Sequence, residues 1–456
     1  MHMMNRESRS LIVKLTLLTA ILFLGTGCGG AGGKSTSSGA DDAAKMPPAP
    51  KPAAKGAFET GVYRNMFAEF GLDEKDIQKK LEDSYQQFFH GNPDTEAVMY
   101  KVDPNENGPM AYIKDIGSND IRSEGMSYGM MISLQMDKQD DFNAIWNWAY
   151  TYMYHKDKSN PDYGYFAWQM RDDGTRMDDN PAPDGEEYFA MSLYFAANRW
   201  GNGDGIYNYK KAADQILTDM VHREDMTGPI NGGETATITS LMNTETYMIR
   251  FTPNRANFES NSDHTDPSYH LPAFYELFAM WGPEADREFW KKAAQVSRDY
   301  FHTVTHPETG LAPDYASFDG KPVAASWDAN TVDFRYDAFR TAMNWTMDCA
   351  WFAKDLERQE ALTNRLQAFF AQEGVYSHVA KHTIAGEPVD ENRSIGLSAM
   401  NATAGLCASH ERAWEFIELV WNTPMITGKW RYYDGMLYMF GLLHLSGNYK
   451  IYKPSK

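Results

Sequence analysis

The sequence predicts an all-α chain folded as an (α/α)6 barrel, one domain over residues 57–456. Three observations carry this. From Phe58 onward the chain shows helical periodicity and almost no period-2 alternation. Its helical runs are of two kinds, one amphipathic and one apolar nearly all round. The two kinds tend to alternate along about a dozen helices. Apolar helices must be surrounded by protein, so alternation places a ring of them inside an amphipathic ring. No fixed-length repeat of the solenoid kind is present.

In chain order, residues 1–27 read as a secretory signal. Arg6, Arg9 and Lys14 make a basic start. Leu15 to Leu24 is apolar and short for a membrane span. Gly25-Thr26-Gly27-Cys28 follows, resembling a bacterial lipobox with Gly25 where Leu is usual. Lipidation of Cys28 is expected. The chain is then an exported cell-envelope lipoprotein, on the periplasmic side or the cell surface, touching membrane only through that anchor. Residues 28–56 are rich in Gly, Ser, Ala, Pro and Lys and read as a flexible linker.

Amphipathic helices are expected around Ile77, Leu81, Tyr85 and Phe88, and around Phe289, Trp290, Ala293, Val296 and Tyr300. Inner helices are expected at Met126–Met136, Tyr188–Ala197, Leu271–Trp281 and Met436–Leu445. The connections 157–183, 226–256 and 305–333 are long and aromatic, the mark of functional loops. Cys349 and Cys407 fall in apolar helical patterns and are expected as buried thiols.

The formal net charge is -19, which disfavours nucleic acid and anionic polymers but not a neutral polysaccharide. The chain lacks His-Glu-x-x-His, Cys-x-x-Cys, a phosphate loop and a Gly-x-Ser-x-Gly elbow. Asp172-Asp173-Gly174 and Asn202-Gly203-Asp204-Gly205 complete no calcium loop and read as turns. No metal and no cofactor are expected.

Glu124, Asp184 and Asp266 each stand just ahead of an apolar helix. In such a barrel the segments leading into the inner helices share one mouth, so the three acids converge there. Acid/base hydrolysis of a sugar chain requires paired carboxylates of this kind. A helix N-terminus favours ionised acids, which suits Asp184 and Asp266. Glu124 then needs burial or a carboxylate neighbour to stay protonated. Asp263 rivals Asp266, and an N-cap ahead of Pro267 is the other reading of Asp266.

Ala182-Pro183-Asp184-Gly185-Glu186-Glu187-Tyr188-Phe189-Ala190, closing on Trp200, resembles the signature of glycoside hydrolase family 8. It is most similar to the reducing-end xylose-releasing exo-oligoxylanases of that family. Ser123-Glu124-Gly125-Met126-Ser127-Tyr128-Gly129-Met130 resembles the general-acid motif, and Asp266-Pro267-Ser268-Tyr269-His270 the general-base segment. Thr309-Gly310-Leu311-Ala312-Pro313-Asp314-Tyr315 and Tyr336-Asp337-Ala338-Phe339-Arg340 are further family-like stretches.

The resemblance implies an inverting hydrolase acting on β-1,4-xylo-oligosaccharides, with endo-acting xylanase or another β-glycanase as the alternative. A glycan-binding lipoprotein without catalysis is the remote one. It implies Glu124 as proton donor and Asp266 as general base. Asp184 would position the sugar and keep Glu124 protonated. Trp168, Tyr188, Tyr247 and Tyr269 are candidate sugar platforms. Arg340 is expected to bind sugar, to orient an acid or to pair with Asp337.

Overall fold

The computed structural model describes residues 46–455, apart from 231–232 and 256–262. The signal and lipidation expectations, including Cys28, lie outside the described residues. Among the described residues no helix is long and apolar enough to cross a membrane.

After the short helices α1 (Ala57–Thr60) and α2 (Met66–Phe70), twelve helices build two layers. The inner layer is α4 (Ser123–Gln135), α6 (Pro183–Trp200), α8 (Pro272–Trp281), α10 (Thr341–Phe352), α12 (Ile395–Ala404) and α14 (Arg431–Leu445). Each touches the next and α14 returns to α4, closing the ring. The outer layer is α3 (Glu74–His90), α5 (Gln139–Trp148), α7 (Tyr209–His222), α9 (Arg287–Val304), α11 (Leu356–Glu373) and α13 (Ala413–Asn422). α3 packs on α14, and each later outer helix packs on the inner helix before it.

The two classes differ by burial, as their sequences require. On α3 the expected stripe Ile77, Leu81, Tyr85 and Phe88 is buried, while the charged residues between point outward. On α14 thirteen residues are buried, from Arg431 to Leu445. Each fully buried Leu, Met or Phe on such a helix stabilises the fold by about 1.5–3 kcal/mol. α10 and α12 are inner helices that the sequence analysis did not single out. Polar residues such as Asn344, Asp348 and Asn401 interrupt their apolar runs, yet all three are buried.

Short strands decorate the loops. The longest pair, Met99–Asn105 with Gly108–Ile113, is an antiparallel hairpin ahead of α4. Met226–Ile230 pairs with Glu234–Ile238 in the 226–256 connection. These hairpins were not expected.

Two expectations are corrected. Cys349 on α10 and Cys407 just after α12 form a disulfide, with Cα atoms 6.2 Å apart. Both helices end on the same face of the ring, which brings together cysteines 58 positions apart. The proline-rich run, expected as free stalk, lies on the body from residue 46 onward. The Pro48 carbonyl accepts from Trp414 Nε1 at 2.9 Å, and Pro50 and Gly56 are buried. This docking covers the end of the barrel where α10, α12 and α14 finish.

Candidate active site

The opposite end holds the first turns of the inner helices. Glu124 and Asp184 each occupy the second position of a helix, on α4 and α6. Two close approaches bring them together. A Cβ on Gly185 would come within 2.8 Å of Ser123, so only glycine lets the two helix starts meet. A Cβ on Gly125 would lie 2.5 Å from the Tyr432 hydroxyl, which donates to Glu124 Oε1 at 2.8 Å. Tyr432 comes from the first turn of α14.

Arg340, on the 3-10 turn Tyr336–Arg340 that leads into α10, is the hub. Its Nη1 donates to Glu124 Oε2 and to Asp184 Oδ2, each at 2.8 Å, and also to the Tyr128 hydroxyl. Its Nη2 stands 3.2 Å from Asp337 Oδ1, and its Nε donates to Ser268 Oγ at 3.2 Å. One guanidinium thus gathers three carboxylates.

These groups border a cavity of about 430 Å³. Glu124, Asp184, Asp337 and Arg340 line it, with Trp168 and Tyr269. Burial pushes the Glu124 carboxyl up to about 7; Arg340 opposes this, and Asp184 and Asp337 add to it. Burial likewise raises Asp184 above the usual carboxylate range, against Arg340. A group titrating near 7 is matched to proton donation at neutral pH.

Asp266 does not line the cavity. It is fully buried and caps the turn Pro267–Tyr269, Oδ1 accepting from the Ser268 N–H at 2.7 Å. Burial, helped by the charge of Asp337, holds its carboxyl well above the usual range. A sealed acid whose ionised form is disfavoured by burial is a poor base for a water in the cavity. Asp263, the rival from sequence, is exposed. The general-base expectation therefore moves to Asp337, which opens on the cavity with 28% of its side chain exposed.

The aromatic expectations divide. Trp168 lines the cavity with the Arg122 guanidinium 5.9 Å from its ring centroid, and Tyr269 lines it beside Arg340. Tyr188 is core, its ring packed edge-on against Tyr128 and Phe274. Its place on α6 points it inward, below the acids. Tyr247 rests against Phe289 and under Lys292 of α9, off the cavity. Phe251, Tyr315 and Trp327 line the cavity and were missed. They sit in the long aromatic loops, where no periodicity tells which ring faces the site.

Carboxylates across a cleft at the mouth of a double-layered helical barrel define a glycan hydrolase of the acid/base class. The chain belongs to glycosyl hydrolases family 8, whose model matches residues 106–447. It is 44% identical over 400 residues to the reducing-end xylose-releasing exo-oligoxylanase Rex8A of Paenibacillus barcinonensis, covering 87% of this chain and 99% of that protein. The crystal structure of a GH8 xylobiose complex from Teredinibacter turnerae is 53% identical, with a TM-score of 0.85, covering 88% of this chain and all of the other. A catalytic mutant of a xylanase from the same organism, solved with xylohexaose, matches to the same degree.

Proposed function

We propose that this glycoside hydrolase cleaves β-1,4-xylo-oligosaccharides with inversion, releasing xylose from the reducing end. Arg340, gathering Glu124, Asp184 and Asp337 around one cavity, is the observation that carries the mechanism. Glu124, kept protonated by burial, gives its proton to the oxygen of the departing sugar. Asp337 takes a proton from a water as that water attacks the anomeric carbon from the opposite face. The glycosidic carbon–oxygen bond breaks, and the new hydroxyl has inverted configuration. Asp184 positions the sugar and helps keep Glu124 protonated. Trp168 and Tyr269 offer faces to the sugar rings.

The reading of substrate and cleavage point rests on the exo-oligoxylanase relatives. Internal cleavage is the second reading, favoured by the 53% identity to a xylanase solved with xylohexaose. Reducing-end-labelled xylotetraose and polymeric xylan separate the two. Labelled xylose as the sole early product supports the first; rapid loss of polymer viscosity sinks it. Proton NMR of the first product should show the α anomer.

We also propose export and lipidation at Cys28, in keeping with the basic-then-apolar start and with a disulfide between Cys349 and Cys407. The full-length chain should fractionate with membranes and take up labelled fatty acid, and Cys28→Ser should do neither.

A further inference from the structure

The described aromatic side chains with large exposure, Trp327, Tyr336, Tyr376 and Trp430, all lie on loops at the mouth end of the barrel. Trp430 is the most exposed of them, at 68%. It precedes α14, two residues before the Tyr432 that bonds Glu124. Its Cε3 and Cζ3 atoms lie against Gly117, where a Cβ would come within 2.6 Å of both. Lys429 Nζ stands 4.6 Å from the ring centroid on the same loop. The Gly117 turn is itself fixed, since Asp115 Oδ1 accepts the N–H of Gly117 and of Ser118. Asp115 also pairs with Arg122, which lines the cavity.

Trp327 is the other exposed indole, 55% exposed on the cavity rim, its ring centroid 5.9 Å from that of Phe251. It stands on the connection between α9 and α10, and Phe251 on the one between α7 and α8. Trp430 stands between α13 and α14 against the turn that precedes α4. In a ring of six, the α8–α10 side is opposite the α14–α4 side. Neighbouring helices 8–10 Å apart make that side-to-side distance about 14–17 Å.

We propose that Trp430 is an outlying sugar platform. The substrate chain crosses the mouth from the Trp327 rim, past the carboxylates, to the Trp430 indole, which stacks on a pyranose ring beyond the cavity. This rests on the xylo-oligosaccharide reading and adds a chain-length preference to it. An exposed ring already seated against the Gly117 turn needs less ordering when the sugar arrives, so its contact area converts well into affinity. A substrate that fills only the cavity does not reach it, since Trp430 is outside the cavity lining.

The test is kcat/KM on xylotriose and on xylohexaose for the wild type, Trp430→Ala and Trp430→Phe. Trp430→Ala should raise KM for xylohexaose by roughly fivefold to tenfold with kcat little changed. It should leave xylotriose untouched, and Trp430→Phe should recover most of the loss. Equal losses on both lengths, or no loss on either, would overturn the platform. A wild type that cleaves neither oligosaccharide removes the substrate reading, and the platform falls with it. A wild type that cleaves both while the variants match it removes the platform alone.

Discussion

Two short turns at the mouth invite comparison. Pro267–Tyr269 and Tyr336–Arg340 each run into an inner helix, and each carries an aspartate at its start. In the first, Asp266 folds back on the Ser268 N–H and is sealed under the surface. In the second, Asp337 faces Arg340 and the cavity. Asp266 is the N-cap of its turn, and Asp337 is the second residue of its own. What separates them is which hydrogen bonds the backbone takes. An acid used as an N-cap is spent on its own turn, whereas one paired with a cationic hub stays available to a water.

The sharpest way to break this contrast is to remove each acid in turn. Glu124→Gln and Asp337→Asn should each lower kcat by about 10²–10⁴-fold, measured on xylotetraose, with the fold intact by circular dichroism. Asp266→Asn should keep activity within roughly tenfold and show its effect in thermal stability instead. Reversal of that order would return the base role to Asp266. Next in size is Arg340→Met. It strands three carboxylates around a buried hub and should cost about 3–5 kcal/mol in denaturant unfolding.

The acid role of Glu124 is readable in a pH profile. Glu124 works in its protonated form, so kcat/KM should fall as pH rises through about 7. Asp184 pushes the Glu124 carboxyl up. Asp184→Asn should therefore move that fall to lower pH, beyond any loss in rate; an unmoved limb would deny Asp184 its tuning part. Smaller in activity but readable in stability is the disulfide. It closes a separation of 58 residues, for which chain entropy gives about 4 kcal/mol. Cys349→Ser should lower the melting midpoint while kcat stays near the wild-type value. Smallest of all, Tyr188→Phe keeps the ring in its core packing and should leave KM unchanged.

The barrel was legible because burial leaves a mark on composition. Helices walled in by others, such as α4 and α14, lack a polar face, and the eye finds them. α10 escaped because its buried polar residues find partners that only the fold supplies: Asn344 donates to the Ser268 carbonyl, and Asp348 accepts from Arg298; α12 escaped because Ser398, Asn401 and Thr403 interrupt its apolar run. Glu124 and Asp184 were legible as acids opening apolar helices. Asp337 stood in view as a pairing partner of Arg340, but its turn carries no sign of which side faces the cavity. The same limit hid the Cys349–Cys407 bond, since thiol distance depends on where two helices end.

The docked segment at the closed end has a consequence for handling the molecule. Lys453 donates to the Phe58 carbonyl and Tyr63 bonds the backbone of Ile451, so the described body starts and finishes on one face. That face is the one turned away from the carboxylates. A bead, a dye or a fused domain joined at either end would therefore hang behind the barrel and leave substrate access open. Phe58 and Lys453 are also close enough to be spliced by a short peptide, with new ends cut into a surface loop. Such a permutant should fold and turn over substrate as the parent does.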